Sequence, residues 1–412
     1  MSANVPAPAP QAGPGWTDEP ATALIHHGYR PPAGFEAPQP AVHRASTVMF
    51  PNVAALRARD WRHRTGYTYG LHGTPTTFML ESRIATLEGG LDTVLVPSGL
   101  AAIALVQFAL LEQGDEVLLP ANVYGPSREL ARHELARAGI THRLYDPLDA
   151  AGFEALIGPK TRLVWLEAPG SVTMEFPDLV GLVAAARRHG VLTALDNTWG
   201  AGLAFDPFAL GLDISMQALT KFPSGGGDVL MGSVTTRDAA LHERIKLCHM
   251  RMGWGVGAND VELILRSLAT IDLRYRANDE AGRRLADWWT QRPEVSRVLH
   301  PALPDAPGHA HWAAVTQRAA GLFSVLFHPR YPSHAVDAFV DALRVFRIGY
   351  SWAGPVSLAV PYDLSAMRQP NPYEGTLVRF ALGQERVEDL IADCEQALRA
   401  LAAAQDTLPG DA

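Results

Sequence analysis

From Leu91 onward the chain sets short, nearly unbroken apolar runs between longer segments whose apolar positions recur at helical spacing. The runs are DTVLVP, EVLLP, HRLYDP, RLVWLEAP and VLTALDN; the helical segments cover 99–111, 127–138 and 178–188. Strands this apolar, separated by helices, predict a mostly parallel central sheet with helices on both faces. Ligands of such sheets bind at the carboxyl ends of the strands. The alternation fades near residue 260, where one long helical stretch is expected over 260–290. An apolar strand, GLFSVLFHP, follows, and VEDLIADCEQALRALAAA closes the chain as an amphipathic helix. Residues 20–73 carry much Pro, Gly, Arg and His with weak periodicity, which predicts an extended arm laid on another surface, such as a second subunit. The expected division is an N-terminal tail and arm over 1–73, a large domain over 74–265 and a smaller C-terminal α/β domain over 266–412.

Composition narrows the class. In 412 residues, 47% are hydrophobic and 19% charged, as in a soluble globular enzyme. A formal net charge of −8 with no long basic run argues against nucleic acid as a partner. Cys248 and Cys394 are too few and too far apart for a disulfide framework or a thiolate metal site, so no metal is expected. The opening MSANVPAPAPQAGPG lacks the basic flank and apolar core of a signal peptide and reads as a flexible tail. The run 100–111 is too short to cross a bilayer. A cytoplasmic protein off the membrane is expected.

Four features fall where strands meet helices. In VPSGLAAI, Ser98 and Gly99 open a helix whose exposed N–H groups favour an anion, or simply form a tight turn. Tyr124 in ANVYGPS follows a strand and offers an aromatic face to a planar ligand, although alone it reads as packing. Asp196 ends the apolar strand of LDNTW, where a carboxylate needs a partner. Lys221, in ALTKFPSGGGDVLMGSV, follows the run DISMQAL; a lone lysine is usually solvated surface. Together they supply what pyridoxal phosphate needs: an amine for the Schiff base, a carboxylate for the pyridinium N–H, a ring to stack and a phosphate nest. A Walker-type loop fails, because its glycines would precede the lysine.

The ordered blocks LEGG, EQGDEVL, LEAPGSVTME, DNTWGAG, ALTK, HPALP, GLFSV, YSWAG and GTLVR carry a resemblance to the Cys/Met metabolism family of pyridoxal-phosphate enzymes, of fold type I. Among its branches the chain is most similar to the bacterial cystathionine β-lyases. The resemblance implies that Lys221 is the Schiff-base lysine and proton carrier, that Asp196 pairs with the pyridinium, and that Tyr124 stacks on the ring. It implies that Gly99, Leu100 and Thr220 hold the phosphate and that Arg379 grips the substrate α-carboxylate. Ser351 and Trp352 would lie beside the substrate, and Tyr69 would arrive from the neighbouring subunit. The implied activity is β-elimination of L-cystathionine to homocysteine, pyruvate and ammonia, by a homotetramer whose active site is shared across a dimer.

Three positions depart from the family pattern. Tyr69-Gly70-Leu71-His72 replaces the usual Tyr-x-Arg, so the arginine expected on the adjacent subunit's phosphate is missing; His72 is the expected substitute, with Arg62 and Arg64 as other donors. Gly225-Gly226-Gly227-Asp228 replaces Gly-His-Ser-Asp, and Val356 replaces a glutamate. These changes keep open a γ-lyase or another C–S or C–O lyase of the same family. A cofactor-binding regulator with incidental lyase activity is the alternative from another class.

Overall fold

The computed structural model describes residues 20–26, 33–35, 37–62, 66–368 and 370–405; the expected flexible tail and Arg64 lie outside them. Among the described residues twelve strands appear in chain order: β1 Asp92–Val96, β2 Glu116–Pro120, β3 Thr141–Tyr145, β4 Thr161–Glu167, β5 Leu192–Asp196, β6 Ile214–Gln217, β7 Gly232–Thr236, β8 Val295–Leu299, β9 Leu322–Phe327, β10 Arg347–Ile348, β11 Leu358–Tyr362 and β12 Leu377–Ala381. Each strand run named above lies on one of them, although β3, from HRLYDP, is a largely exposed edge strand that carries His142 and Arg143 and so departs from the apolar pattern. The chain forms two compact units. One combines the described residues within 1–113, 193–224 and 228–272; the other combines those within 114–192, 225–227 and 273–412.

In the first unit β5 and β6 run parallel, and β7 lies between β6 and β1, antiparallel to both. Val94, Leu95, Val96, Ile214, Met216 and Val234 are buried, as unbroken apolar strands require, and full burial of such a side chain contributes about 1.5–3 kcal/mol. The Pro75–Glu88 helix shows why its sequence stops and starts where it does. Thr74 caps it in a reciprocal pair with Thr77, Pro75 takes the first turn, and Gly89 ends it at φ 73°, where a glycine costs least. Along the arm, His43 N–H donates to Thr76 Oγ1 at 2.8 Å, Arg44 holds Asn259 Oδ1, and Thr47 bridges Tyr69.

In the second unit β2 pairs parallel with both β3 and β4. A separate sheet runs in the order β10-β11-β12-β9-β8. Phe323, Phe327, Phe339, Phe346 and Phe380 close its core around Trp289. The closing amphipathic stretch forms a helix over Val387–Ala404, as its periodicity predicts.

Two expectations need correction. The stretch 260–290 is two helices, Ala258–Leu268 and Ile271–Thr290, because Thr270 turns back to bond the Ser267 carbonyl through both its amide and its hydroxyl. The helix expected over 127–138 starts at Gly125 and widens into a π turn over Ala131–Leu135. Among the described residues no helix is long and apolar enough to cross a membrane, and no cluster of His, Cys, Asp and Glu could hold a metal ion.

Candidate active site

The first unit gathers one set of candidate residues. β5 delivers Asp196 at its carboxyl end, and the Thr198 amide donates to Asp196 Oδ1 at 3.0 Å. Burial raises the Asp196 pKa; the Thr198 hydrogen bonds and the Lys221 charge pull against it. Lys221, half-buried, sits in the turn after β6, where its amide donates to the Ala218 carbonyl at 3.0 Å. Thr198 Oγ1 also accepts from the Ala218 amide at 2.9 Å, so a single threonine braces both the carboxylate and the approach to the lysine.

The helix Gly99–Leu110 opens beside this turn. Ser98 spends its side chain as the cap, accepting from the Ala101 amide at 3.0 Å, and leaves the Gly99 and Leu100 amides at the helix entrance. A Cβ built on Gly99 would lie 2.6 Å from the Ala218 Cβ, so only glycine fits there. The Thr220 hydroxyl donates to the Met231 carbonyl at 3.3 Å and accepts from the Met231 amide at 3.1 Å.

On the arm of the same unit, Tyr69 is 45% exposed, its hydroxyl accepts from Ser46 Oγ at 3.3 Å, and its ring meets that of His72 edge-on. His72 Nδ1 pairs with Thr68 Oγ1 at 2.8 Å. Burial lowers the His72 pKa, and the Lys246 and Arg59 charges lower it further. Leu71, in place of the family arginine, lies against Gly255: a Cβ built on that glycine would be 3.1 Å from Leu71 Cδ1.

The second unit gathers the other set. Tyr124 stands at the N-terminus of the Gly125–Leu130 helix, 43% exposed, and its amide donates to both carboxylate oxygens of buried Glu167 at 2.9 and 3.0 Å. Arg379 lies on β12 opposite Val360 of β11, which places Tyr362, two residues along β11, on the same face. The guanidinium Cζ lies 5.3 Å from the Tyr362 ring centroid. Arg379 Nη2 donates to the Ser351 carbonyl at 3.3 Å, while its buried Nε has no hydrogen-bond partner among the described residues. Burial lowers the Arg379 pKa against the opposing influence of Tyr362, Tyr124 and Tyr350. Ser351 holds its carbonyl toward Arg379 at φ 91°, with Ala353 at 61°, backbone that non-glycine residues adopt only under strain. Trp352, between them, is half-buried.

The residues fit pyridoxal phosphate on structural grounds. A strand-end carboxylate and an amine lie within one unit, a helix entrance keeps its Gly99 and Leu100 amides where Ala218 leaves room only for glycine, and a buried guanidinium nitrogen of Arg379 has no acceptor among the described residues. Glu167, Thr198 and Tyr362 are the residues that motif reading missed. Glu167 had a signal, a carboxylate ending the apolar run RLVWLE, the same logic that singles out Asp196. Thr198 and Tyr362 had none, since each acts through a neighbour brought close by pairing or turning of the backbone.

Comparison with known proteins places these features among relatives. The family described as Cys/Met metabolism PLP-dependent enzyme matches residues 21–399. A putative cystathionine beta-lyase of Rhizobium johnstonii is 41% identical over 93% of this chain and 96% of its own. The cystathionine beta-lyase of Escherichia coli is 35% identical over 91% of this chain and 96% of its own. Among solved structures, the cystathionine gamma synthase of Xanthomonas oryzae pv. oryzae, in complex with aminoacrylate and cysteine, superposes with a TM-score of 0.86 at 28% identity, covering 93% of this chain and 99% of that one.

Proposed function

The chain belongs to the Cys/Met metabolism PLP-dependent enzymes, and from that membership we propose that it cleaves the Cβ–S bond of L-cystathionine. Water is consumed, and homocysteine, pyruvate and ammonia are released. The chain is a pyridoxal-phosphate-dependent carbon–sulfur lyase of fold type I. The observation that supports the site assignment most is the placement of Asp196 at the end of β5 and of Lys221 in the turn that follows the adjacent parallel strand β6, near enough for the Lys221 charge to act on Asp196. Bound pyridoxal phosphate supplies an electron-poor ring that takes up the electron pair released at the substrate Cα.

The chain's own residues do the rest. Asp196 would hold the ring nitrogen, Tyr124 would lie on the ring face, and the Gly99 and Leu100 amides with Thr220 would hold the phosphate. Arg379 binds the α-carboxylate through its planar fork, using the Nε that has no acceptor among the described residues. Ser351 and Trp352 line the substrate beside it. The Lys221 amine takes the Cα proton and delivers it to the departing sulfur, so one group serves as base and then acid.

Tyr69 and His72 act across a dimer interface, in a homotetramer of the cytoplasm. His72 supplies the phosphate contact that Leu71 cannot. The tautomer in which Nδ1 accepts from Thr68 Oγ1 presents a neutral Nε2–H for that contact. Keto-acid analysis after turnover of cystathionine tests the reaction. Pyruvate with homocysteine is expected; 2-oxobutyrate with cysteine would assign the chain to γ-elimination.

A further inference from the structure

Glu88, the last residue of the Pro75–Glu88 helix, is 1% exposed and has no part in the chemistry above. Its Oε1 accepts from Asn197 Nδ2 at 3.3 Å and from Gln217 Nε2, and its Oε2 meets Ser215 Oγ. Among the described residues no ion pair reaches it. The guanidinium of Arg237 is held by Asp206 Oδ2 at 3.0 Å and by the Gly89 carbonyl. A carboxylate at this place would face the negative end of a helix dipole and would be desolvated without a cation. Burial, with Asp206 and Asp196 adding to it, pushes its pKa up to about 8 against the Ser215 and Asn197 hydrogen bonds.

The two amides that Glu88 holds are not arbitrary. Asn197 follows Asp196 directly at the end of β5. Gln217 ends β6, one residue before Ala218, whose Cβ abuts Gly99 and whose carbonyl accepts from the Lys221 amide. One carboxyl group therefore ties together the ends of the strand that carries Asp196 and the strand that leads to Lys221. We propose that Glu88 is a positioning residue held as a neutral carboxylic acid, which clamps the ends of β5 and β6 and leaves the local negative charge to Asp196 for the cofactor ring nitrogen. The proposal rests on the cofactor reading given above. In the neutral form Oε1 keeps both amide donors, and the acid proton on Oε2 goes to the Ser215 hydroxyl, which accepts as readily as it donates.

Glutamine reproduces each of these bonds, with its own N–H in place of the acid O–H, so Glu88→Gln separates neutral from ionised. An infrared difference spectrum of wild type minus Glu88→Gln at neutral pH is expected to show the carbonyl stretch of a protonated carboxylic acid. That band should fade as pH rises through about 8. Pyridoxal phosphate titrated against each protein by its visible absorption should bind Glu88→Gln within about threefold of wild type. Glu88→Ala, which strands two buried amide donors, should weaken binding by about tenfold or more. Absence of the acid band at neutral pH, or loosening in Glu88→Gln as large as in Glu88→Ala, would overturn the proposal; should the alanine variant not fold, the infrared band and the glutamine variant decide. A wild type that takes up no pyridoxal phosphate would overturn the cofactor reading instead, and the infrared band does not depend on it.

Discussion

Asp196 and Lys221 are held by different means from Arg379. Around the first pair, backbone amides do the holding: the Thr198 N–H on Asp196, the Lys221 N–H on Ala218, and a threonine hydroxyl between them. These groups stand at the ends of parallel strands, where side chains emerge toward ligand by default. Arg379 instead projects sideways from the middle of an antiparallel strand. It is positioned by one carbonyl on strained backbone at Ser351 and by the face of Tyr362. The first arrangement rests mostly on backbone groups, with Glu88 as the side chain that ties its strand ends, whereas the second depends on particular side chains throughout. Apart from changes at Glu88, mutations outside the reacting groups should therefore disturb carboxylate binding more than cofactor binding.

The sharpest break is Lys221→Ala. Loss of the proton carrier alone should lower kcat by about 10²–10⁴-fold, with more lost through the covalent role, and near-normal turnover would end the assignment. Arg379→Ala should be next. Removing a charged hydrogen bond to the substrate carboxylate costs about 1.5–3 kcal/mol, read as a higher KM together with a lower kcat, because the clamp also aligns the Cα–H bond. Arg379→Lys should recover part of that loss. If both variants behave like wild type, the carboxylate is held elsewhere.

The contrast is sharpened by Tyr362. Tyr362→Ala should raise KM through loss of about 0.5–2 kcal/mol of cation–π support, while Tyr362→Phe keeps the ring and stays near wild type. Equal effects of the two variants would mean that the hydroxyl and not the ring face matters. The smallest expected change is on the arm. His72→Ala should weaken pyridoxal-phosphate affinity by about 0.5–1.5 kcal/mol, the range of a neutral hydrogen bond. Because the His72 pKa lies below its ordinary value, the wild-type imidazole gains its charge only as pH falls beneath about 6.5. Its contribution to phosphate binding should rise there and not at neutrality. Unchanged affinity in His72→Ala would leave the phosphate to Gly99, Leu100 and Thr220. Leu71→Arg gives up the packing of Leu71 on Gly255, so its gain in affinity reports whether the arm can follow the family path.

The same contrast explains what was legible beforehand. Apolar runs and helical spacing located the strands because parallel strands buried on both faces leave an unbroken apolar trace. Asp196, Lys221 and Gly99 stood out because a charged or unusually small residue at a strand end interrupts that trace. Glu88 and Gln217 are as buried as their neighbours, but their meaning arises from pairing between β5 and β6 and from the end of a helix distant in sequence. Period alone does not carry such information. The break at Thr270 was hidden for a related reason, since a hydroxyl turning back on its own backbone leaves the apolar spacing on either side intact.

The chain has three lysines, Lys160, Lys221 and Lys246, which makes the central claim open to a single measurement. Lys160 is exposed, and Lys246 is buried with its ammonium 5.7 Å from the Phe78 ring centroid. Protein loaded with pyridoxal phosphate, reduced with borohydride and digested, should lose its visible absorption and carry the pyridoxyl mass on the peptide containing Lys221. The same mass on a peptide containing Lys160 or Lys246 instead, or no covalent mass at all, would contradict the account.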